Sequence, residues 1–224
     1  MLGLEPWQEE FLEFAVERGV LRFGEFTLKS GRRSPYFFNT GRFSSGAALG
    51  RLGEYYARAL EASKLEWDML FGPAYKGIPL ACAVAVAASS RLGREVPFAF
   101  DRKEAKEHGE GGELIGAPVS GRVVIVDDVI SSGGSVREAA ATIRGAGGEV
   151  AGCLIALDRQ EQGEGTRSAA QELSEALGAP VVSVIDLDAV ERWLAGSESP
   201  VRRERVPPNA LEAIRAYRRS YGAE

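Results

Sequence analysis

The chain is predicted to be an α/β protein, with a mostly parallel central sheet flanked by helices and a small β-containing hood at its N-terminal end. Three observations predict this. From Asp68 onward, short apolar runs alternate with segments of helical length and pattern, the arrangement that builds a parallel sheet covered on both faces. The run Val123-Val124-Ile125-Val126 is apolar without interruption, as suits a strand buried on both sides. Val20 to Phe43 departs from the alternation, being rich in aromatics, glycine and turn residues. A length of 224 residues, with 45% hydrophobic and 26% charged residues, suits one globular domain with appendages.

In chain order, Pro6 to Arg18 spaces Trp7, Phe11, Phe14 and Ala15 along one helical face, with Pro near the start and Gly19 after the end. Residues 20–43 suggest two or three short strands, and Gly46 to Ser63 returns to helix. Then come a strand near Met69–Phe71, a helix over Ile78–Leu92 and a strand over Val96–Phe100. Strand Val123–Val126, helix Val136–Ala146, strand Val150–Leu157, helix Ser168–Leu177 and strand Val181–Ile185 follow. Glu198 to Arg205 reads as a charged connector, and Asn209 to Tyr221, after Pro207-Pro208, as a terminal helix. Residues 1–224 are thus one domain: a hood over about 1–45, a core over about 46–197, and a connector and helix over 198–224.

The most informative stretch is Val123 to Ser135. A buried strand runs into Asp127-Asp128, then Val129, Ile130 and the small residues Ser131, Ser132, Gly133, Gly134 and Ser135, and then a helix. Ligands of open α/β sheets sit at the carboxyl ends of strands. Small residues opening a helix offer main-chain N–H groups and the positive end of the helix dipole to a phosphate. Two carboxylates would repel that phosphate, so their partners are hydroxyls or a divalent ion. A ribose 5-phosphate carries both features. Residues 128–136 lack the lysine of a P-loop, and the acids precede the glycines, opposite to a dinucleotide fingerprint. Taken alone, a strand, an acid, a small-residue loop and a helix also occur in many α/β proteins that bind no nucleotide sugar.

The stretch resembles the signature of the type I phosphoribosyltransferases, which bind 5-phosphoribosyl 1-pyrophosphate. The resemblance implies that Asp127 and Asp128 hold the ribose hydroxyls and that residues 129–135 wrap the 5-phosphate. Serines stand at 131 and 132 where many members have threonine; the hydroxyl is kept.

Three further segments extend the resemblance. Phe26 to Asn39 (FTLKSGRRSPYFFN) is similar to a stretch of the orotate phosphoribosyltransferases. On the residues alone, Phe37 and Phe38 are either aromatic surface for a flat ring or core aromatics, and Lys29 is either a substrate cation or a solvent-facing lysine. Phe71 to Ile78 follows a strand and leads into a helix, and its small residues with Tyr75 and Lys76 suit a second anion, the pyrophosphate. Family likeness implies a cis peptide at Ala74–Tyr75. Asp101 to Gly112 carries Arg102, Lys103, Lys106 and His108, the only histidine, beside glycines. Charge runs are usually solvated surface, but this composition also suits a lid closing cations over an anionic leaving group. The resemblance makes it a catalytic loop that reaches the neighbouring subunit, and so implies a homodimer.

Arg159 follows the strand ending at Leu157, where it can grip a carboxylate through two parallel hydrogen bonds or pair with Asp158 or Glu161. The resemblance assigns Arg159 to the orotate carboxylate, with Ser131 beside it and Lys29 bridging both substrates.

The implied reaction moves ribose 5-phosphate from the donor to a ring nitrogen of orotate. Mg²⁺ arrives on the donor's pyrophosphate rather than in a protein metal site. A net charge of −5 argues against nucleic-acid binding, and no apolar run is long enough to cross a membrane. The first twenty residues lack a signal-peptide core, and Cys82 and Cys153 read as buried thiols, so a cytoplasmic enzyme is expected. Two alternatives are a donor-sensing regulator without catalysis and a purine phosphoribosyltransferase. A fused decarboxylase does not fit the length.

Overall fold

The computed structural model describes residues 3–28, 30–106, 112–130, 133–163 and 165–223. They form two compact units, one of residues 1–44, 159–168 and 185–224, the other of residues 45–158 and 169–184.

The second unit carries the parallel sheet. Its elements are α2 (Gly46–Ala62), β3 (Met69–Gly72), α3 (Gly77–Leu92), β4 (Phe98–Lys106), β5 (Gly112–Gly116), β6 (Arg122–Val126), α4 (Gly134–Gly145), β7 (Glu149–Asp158) and α5 (Ala169–Leu177). β8 (Val181–Asp186) completes a six-stranded sheet of order β5-β4-β3-β6-β7-β8. β3 pairs in parallel with β4 and β6, and β6 with β7; β5 runs antiparallel to β4. Met69, Phe71, Val123, Ile125, Cys153 and Ile155 alternate onto one face of the sheet. There they bury against Val136, Ala139 and Ile143 of α4 and Leu173 of α5. On α2, Ser45 caps the N-terminus by accepting the Ala48 N–H, and the helix packs along α3.

The first unit is built from α1 (Pro6–Glu17), the antiparallel hairpin of β1 (Leu21–Thr27) and β2 (Arg33–Phe38), and the helices α6 (Leu187–Gly196), α7 (Pro200–Arg205) and α8 (Ala210–Tyr221). Glu5 and Gln8 form a reciprocal capping box at the start of α1, with Pro6 in the first turn. The core is aromatic: Phe14 stacks on Phe43 with centroids 5.0 Å apart, and Phe11 meets Phe38 at 6.5 Å.

Four elements differ from the sequence expectation, and one of them, β5, was not expected at all. The segment 101–106 continues β4 rather than opening a loop, because strand pairing with β5 is made by main-chain groups and needs no apolar alternation. The segment after β8 forms α6, capped by Asp186, which accepts the Ala189 N–H. The charged connector is the short helix α7, started by the Ser199 cap and Pro200. The arginines of that segment satisfy carbonyls: Arg202 donates to Ser197, Arg203 to Glu198 and Arg205 to Glu17.

Candidate active site

The chain leaves β3 toward one edge of the sheet, through α3 to β4, and leaves β6 toward the other, through α4 to β7. The carboxyl ends of such a strand pair flank the crevice where α/β sheets bind ligands. Two loops open there, 73–76 and the described part of 127–133.

The first loop is tightly folded. A Cβ on Gly72 would lie 2.3 Å from the Gly77 carbonyl oxygen, so only glycine permits the close pass. The Ala74–Tyr75 peptide is cis, as the resemblance implied. Asp101, on β4, accepts the Ala74 N–H at 2.6 Å and ties the loop to the neighbouring strand. Tyr75 stands 71% exposed, and the Lys76 ammonium donates to Asp128 Oδ2 at 2.6 Å.

The second loop holds the paired acids, both buried. Asp127 Oδ1 accepts the Asp128 N–H at 2.8 Å, and its Oδ2 accepts the Ser135 hydroxyl at 3.0 Å. Main-chain bonds fix the pair further: Asp127 N–H donates to Leu154 C=O, and Ala156 N–H to Asp128 C=O. The fully buried Tyr56 donates its hydroxyl to the Asp127 carbonyl at 3.0 Å. Burial, reinforced by the charge of Asp128, raises the Asp127 carboxyl above its ordinary range. Burial and the two aspartates also push the Tyr56 hydroxyl well up, so it remains a donor.

Gly133 takes the left-handed conformation, φ +71°, at the N-cap of α4. The first intrahelical bond runs from Arg137 N–H to Gly133 C=O, leaving the N–H groups of Gly134 and Ser135 ahead of it in the first turn. Val129 pairs with Leu157, and Ile130 packs against the core, so these two shape the loop from beneath. On β4, Arg102 keeps a buried Nη1 without a hydrogen-bond partner among the described residues. The main chain of Lys103 and Lys106 lies in the same strand. Lys29, His108, Ser131 and Ser132 lie outside the described residues.

In the first unit, Arg159 is the centre of a side-chain cluster. Its Nε donates to Glu161 Oε1 at 2.7 Å, its Nη2 meets the same oxygen, and Nη2 also donates to the Ser34 hydroxyl at 3.1 Å. The guanidinium lies over the Tyr36 ring, 4.2 Å from its centroid. Phe37 and Phe38 point to opposite faces of β2. Phe38 is buried beside Phe11, so it is a core aromatic, whereas half-buried Phe37 stacks on Phe26 at 5.6 Å. The expected pair of rings on one surface is therefore a single ring, because residues adjacent in a strand alternate.

Sequence reading missed Asp101, Tyr56, Ser34 and Glu161. Asp101 opened a charge run with nothing to single it out, and Tyr56 sat within an amphipathic helix. Ser34 lay in a quoted segment and Glu161 was named only as a pairing partner.

A parallel sheet with two acids ahead of a small-residue, helix-opening segment is the arrangement expected of a phosphoribosyltransferase. The family model of the phosphoribosyl transferase domain matches residues 45–179. Over nearly its whole length the chain is similar to proteins named orotate phosphoribosyltransferase. It is 57% identical to that of Halorhodospira halophila, covering 97% of this chain and 98% of that one. It is 54% identical to that of Pseudomonas aeruginosa, covering 98% and 100%. A crystal structure of the Francisella tularensis orotate phosphoribosyltransferase superposes with TM-score 0.82 at 36% identity, covering 96% of this chain and all of that one. The chain belongs to the orotate phosphoribosyltransferases, transferases of pyrimidine biosynthesis.

Proposed function

We propose that the second unit binds 5-phosphoribosyl 1-pyrophosphate and that the first supplies the grip on the orotate carboxylate. The observation that carries this reading is the pair Asp127 and Asp128, buried at the end of β6 and immobilised by main chain, Ser135 and Lys76. Acids held so firmly are suited to two ribose hydroxyls. The first-turn N–H groups of α4, with Ser131 and Ser132, take the 5-phosphate. Lys76, Arg102, Lys103, Lys106 and His108 meet the pyrophosphate, and Arg159 takes the acceptor's carboxylate.

The transition state gathers positive charge on the ribose ring and negative charge on the leaving group. Asp127 and Asp128 favour the first by their field, and the cations of residues 102–108 favour the second. Orotate is already an anion and needs little help from a base.

Mg²⁺ fits this site as a companion of the donor. Asp127 and Asp128 are hard oxygen donors, yet their carboxylates already accept protein hydrogen bonds, so the diphosphate would supply most of the ion's ligands. When bound, the ion neutralises charge on the diphosphate oxygens.

A homodimer with residues 101–112 shared between subunits is part of the same reading. In its support, α3 carries no charge before Arg91 and still exposes Val86, at 72%, as an uncharged helix face would if a second copy covered it. Two free thiols, Cys82 and Cys153, suit the reducing cytoplasm.

The test is loss of orotate absorbance when purified protein is mixed with orotate, donor and Mg²⁺, with adenine, hypoxanthine and uracil as competitors. Stoichiometric pyrophosphate with orotate alone consumed is the expected result. Turnover of another base would overturn the acceptor assignment, and donor binding without any turnover would overturn the catalytic one.

A further inference from the structure

Arg159 has five N–H donors, and their present partners divide them unevenly. The edge formed by Nε and Nη2 faces one oxygen of Glu161, and the second Nη2 hydrogen goes to Ser34. Nη1 makes no well-aligned hydrogen bond among the described residues, and the Tyr217 hydroxyl lies close enough to interact with both Arg159 and Glu161. A carboxylate competing with substrate would sit end-on, across Nη1 and Nη2. Glu161 instead lies along the side; at the end of the guanidinium Nη2 donates to Ser34, so Nη1 is the donor left toward a ligand.

Glu161 is itself held. Its Oε1 accepts the Tyr36 hydroxyl at 3.5 Å, and its Oε2 lies 3.6 Å from Arg32 Nη1. Arg32 is anchored by donating to the Gln162 carbonyl and by lying over the Tyr221 ring, 5.3 Å from its centroid. Tyr36, fully buried, supports Arg159 from below, and Tyr217 meets Tyr36 edge-on at 6.3 Å. The charges also matter. Two arginines and one glutamate leave the cluster net positive, so pairing with Glu161 does not cancel the attraction for an anionic acceptor.

We propose that Glu161 is a positioning residue for acceptor binding: it fixes the plane of the Arg159 guanidinium from one edge, and Arg32 keeps the cluster cationic. The inference rests on the reading that Arg159 receives the orotate carboxylate. Glu161 then raises affinity by pre-organising its partner, although its own charge opposes the ligand.

Steady-state kinetics of the full-length enzyme test this with three variants at one position. Glu161→Ala frees the guanidinium and should raise the orotate KM at least tenfold, with kcat and the donor KM changing less than threefold. Glu161→Asp keeps the charge but withdraws it by one methylene, and should raise the orotate KM about fivefold. Glu161→Gln keeps an acceptor oxygen at the same reach, and should stay within twofold of the parent. Should the alanine variant fail to fold, the Asp and Gln pair carries the same contrast.

An orotate KM that falls in the alanine variant would make Glu161 a competitor and overturn the proposal. So would a glutamine variant as damaged as alanine, or orotate and donor KM values rising together. Arg159→Ala separates this from the underlying reading. If it leaves the orotate KM unchanged, the carboxylate assignment itself falls. If it raises that KM while the Glu161 variants do nothing, only the positioning role falls.

Discussion

The two units prepare charged groups by different means. In the second unit the acids are set largely through main chain: Asp127 and Asp128 follow a strand whose neighbour β7 bonds to their peptide groups, Ser135 and Lys76 add side-chain bonds, and the first turn of α4 offers N–H groups. In the first unit the corresponding work is done by side chains on aromatic supports, with Arg159 over Tyr36 and Arg32 over Tyr221. The difference matches the comparisons. The family model of the phosphoribosyl transferase domain covers residues 45–179, most of which form the second unit, whereas the likeness to orotate enzymes extends across both. Under the proposed function, a largely main-chain site would take the donor and a side-chain cluster the acceptor.

That contrast breaks most sharply at Lys106. Lys106→Ala is expected to lower kcat by about 10²–10³ while calorimetry shows donor binding nearly intact, since the lost interaction belongs to the transition state. Unchanged turnover would remove residues 101–112 from catalysis. Arg159→Ala should instead raise the orotate KM by about 2–5 kcal/mol equivalent and leave the donor KM alone. An effect on the donor would erase the division between units.

Stability offers a second comparison. Ile125→Ala, in the sheet core, and Phe38→Ala, in the aromatic core, should cost about 2–5 and 3–5 kcal/mol in denaturant melts. One cooperative transition for both variants would mean that the units unfold together.

The pH dependence tests the burial of Asp127. Its carboxyl is raised in the folded protein, so the ionised form that the proposed hydroxyl binding requires is lost as pH falls through a value above the ordinary carboxylate range. The acid limb of donor affinity should lie correspondingly high. Between the unfolded and folded values the native state holds the extra proton, so this group's contribution to stability declines as pH rises. Asp127→Asn should remove both dependences.

The smallest effect is expected at Asp68. Arg122 holds that carboxyl near 2 by hydrogen bonds, but the pair is solvent-exposed. Its contribution, present above the ordinary carboxylate pKa, is lost only as pH falls toward 2. Asp68→Asn should change melting at neutral pH by little.

Much of this was legible in the chain because the relevant signals are local. Four apolar residues followed by two acids and a run of Ser and Gly announce a strand, its carboxyl end and a helix start. The pattern around Met69 to Ile78 does the same. Contacts that join distant segments were not legible. Asp101 reaches Ala74 and Ser34 reaches Arg159 only through the fold. Nor does alternation within a strand reveal itself in Phe37-Phe38, where two adjacent aromatics look like a matched pair until the register of β2 separates them. β4 escaped for the opposite reason, since its charged half pairs through main-chain groups that composition does not display.

The division of the chain between the units also bears on how the protein is made. Residues 1–44 wait for partners that include residues 185–224, whereas all of the second unit has been translated by Val184. On the ribosome the sheet unit therefore completes its complement of residues first. Phe11, Phe14 and Phe38 stay without the full set of helices α6 to α8 until Tyr221 has been translated. Chaperone demand during synthesis should thus fall on residues 1–44, which wait longest for their partners.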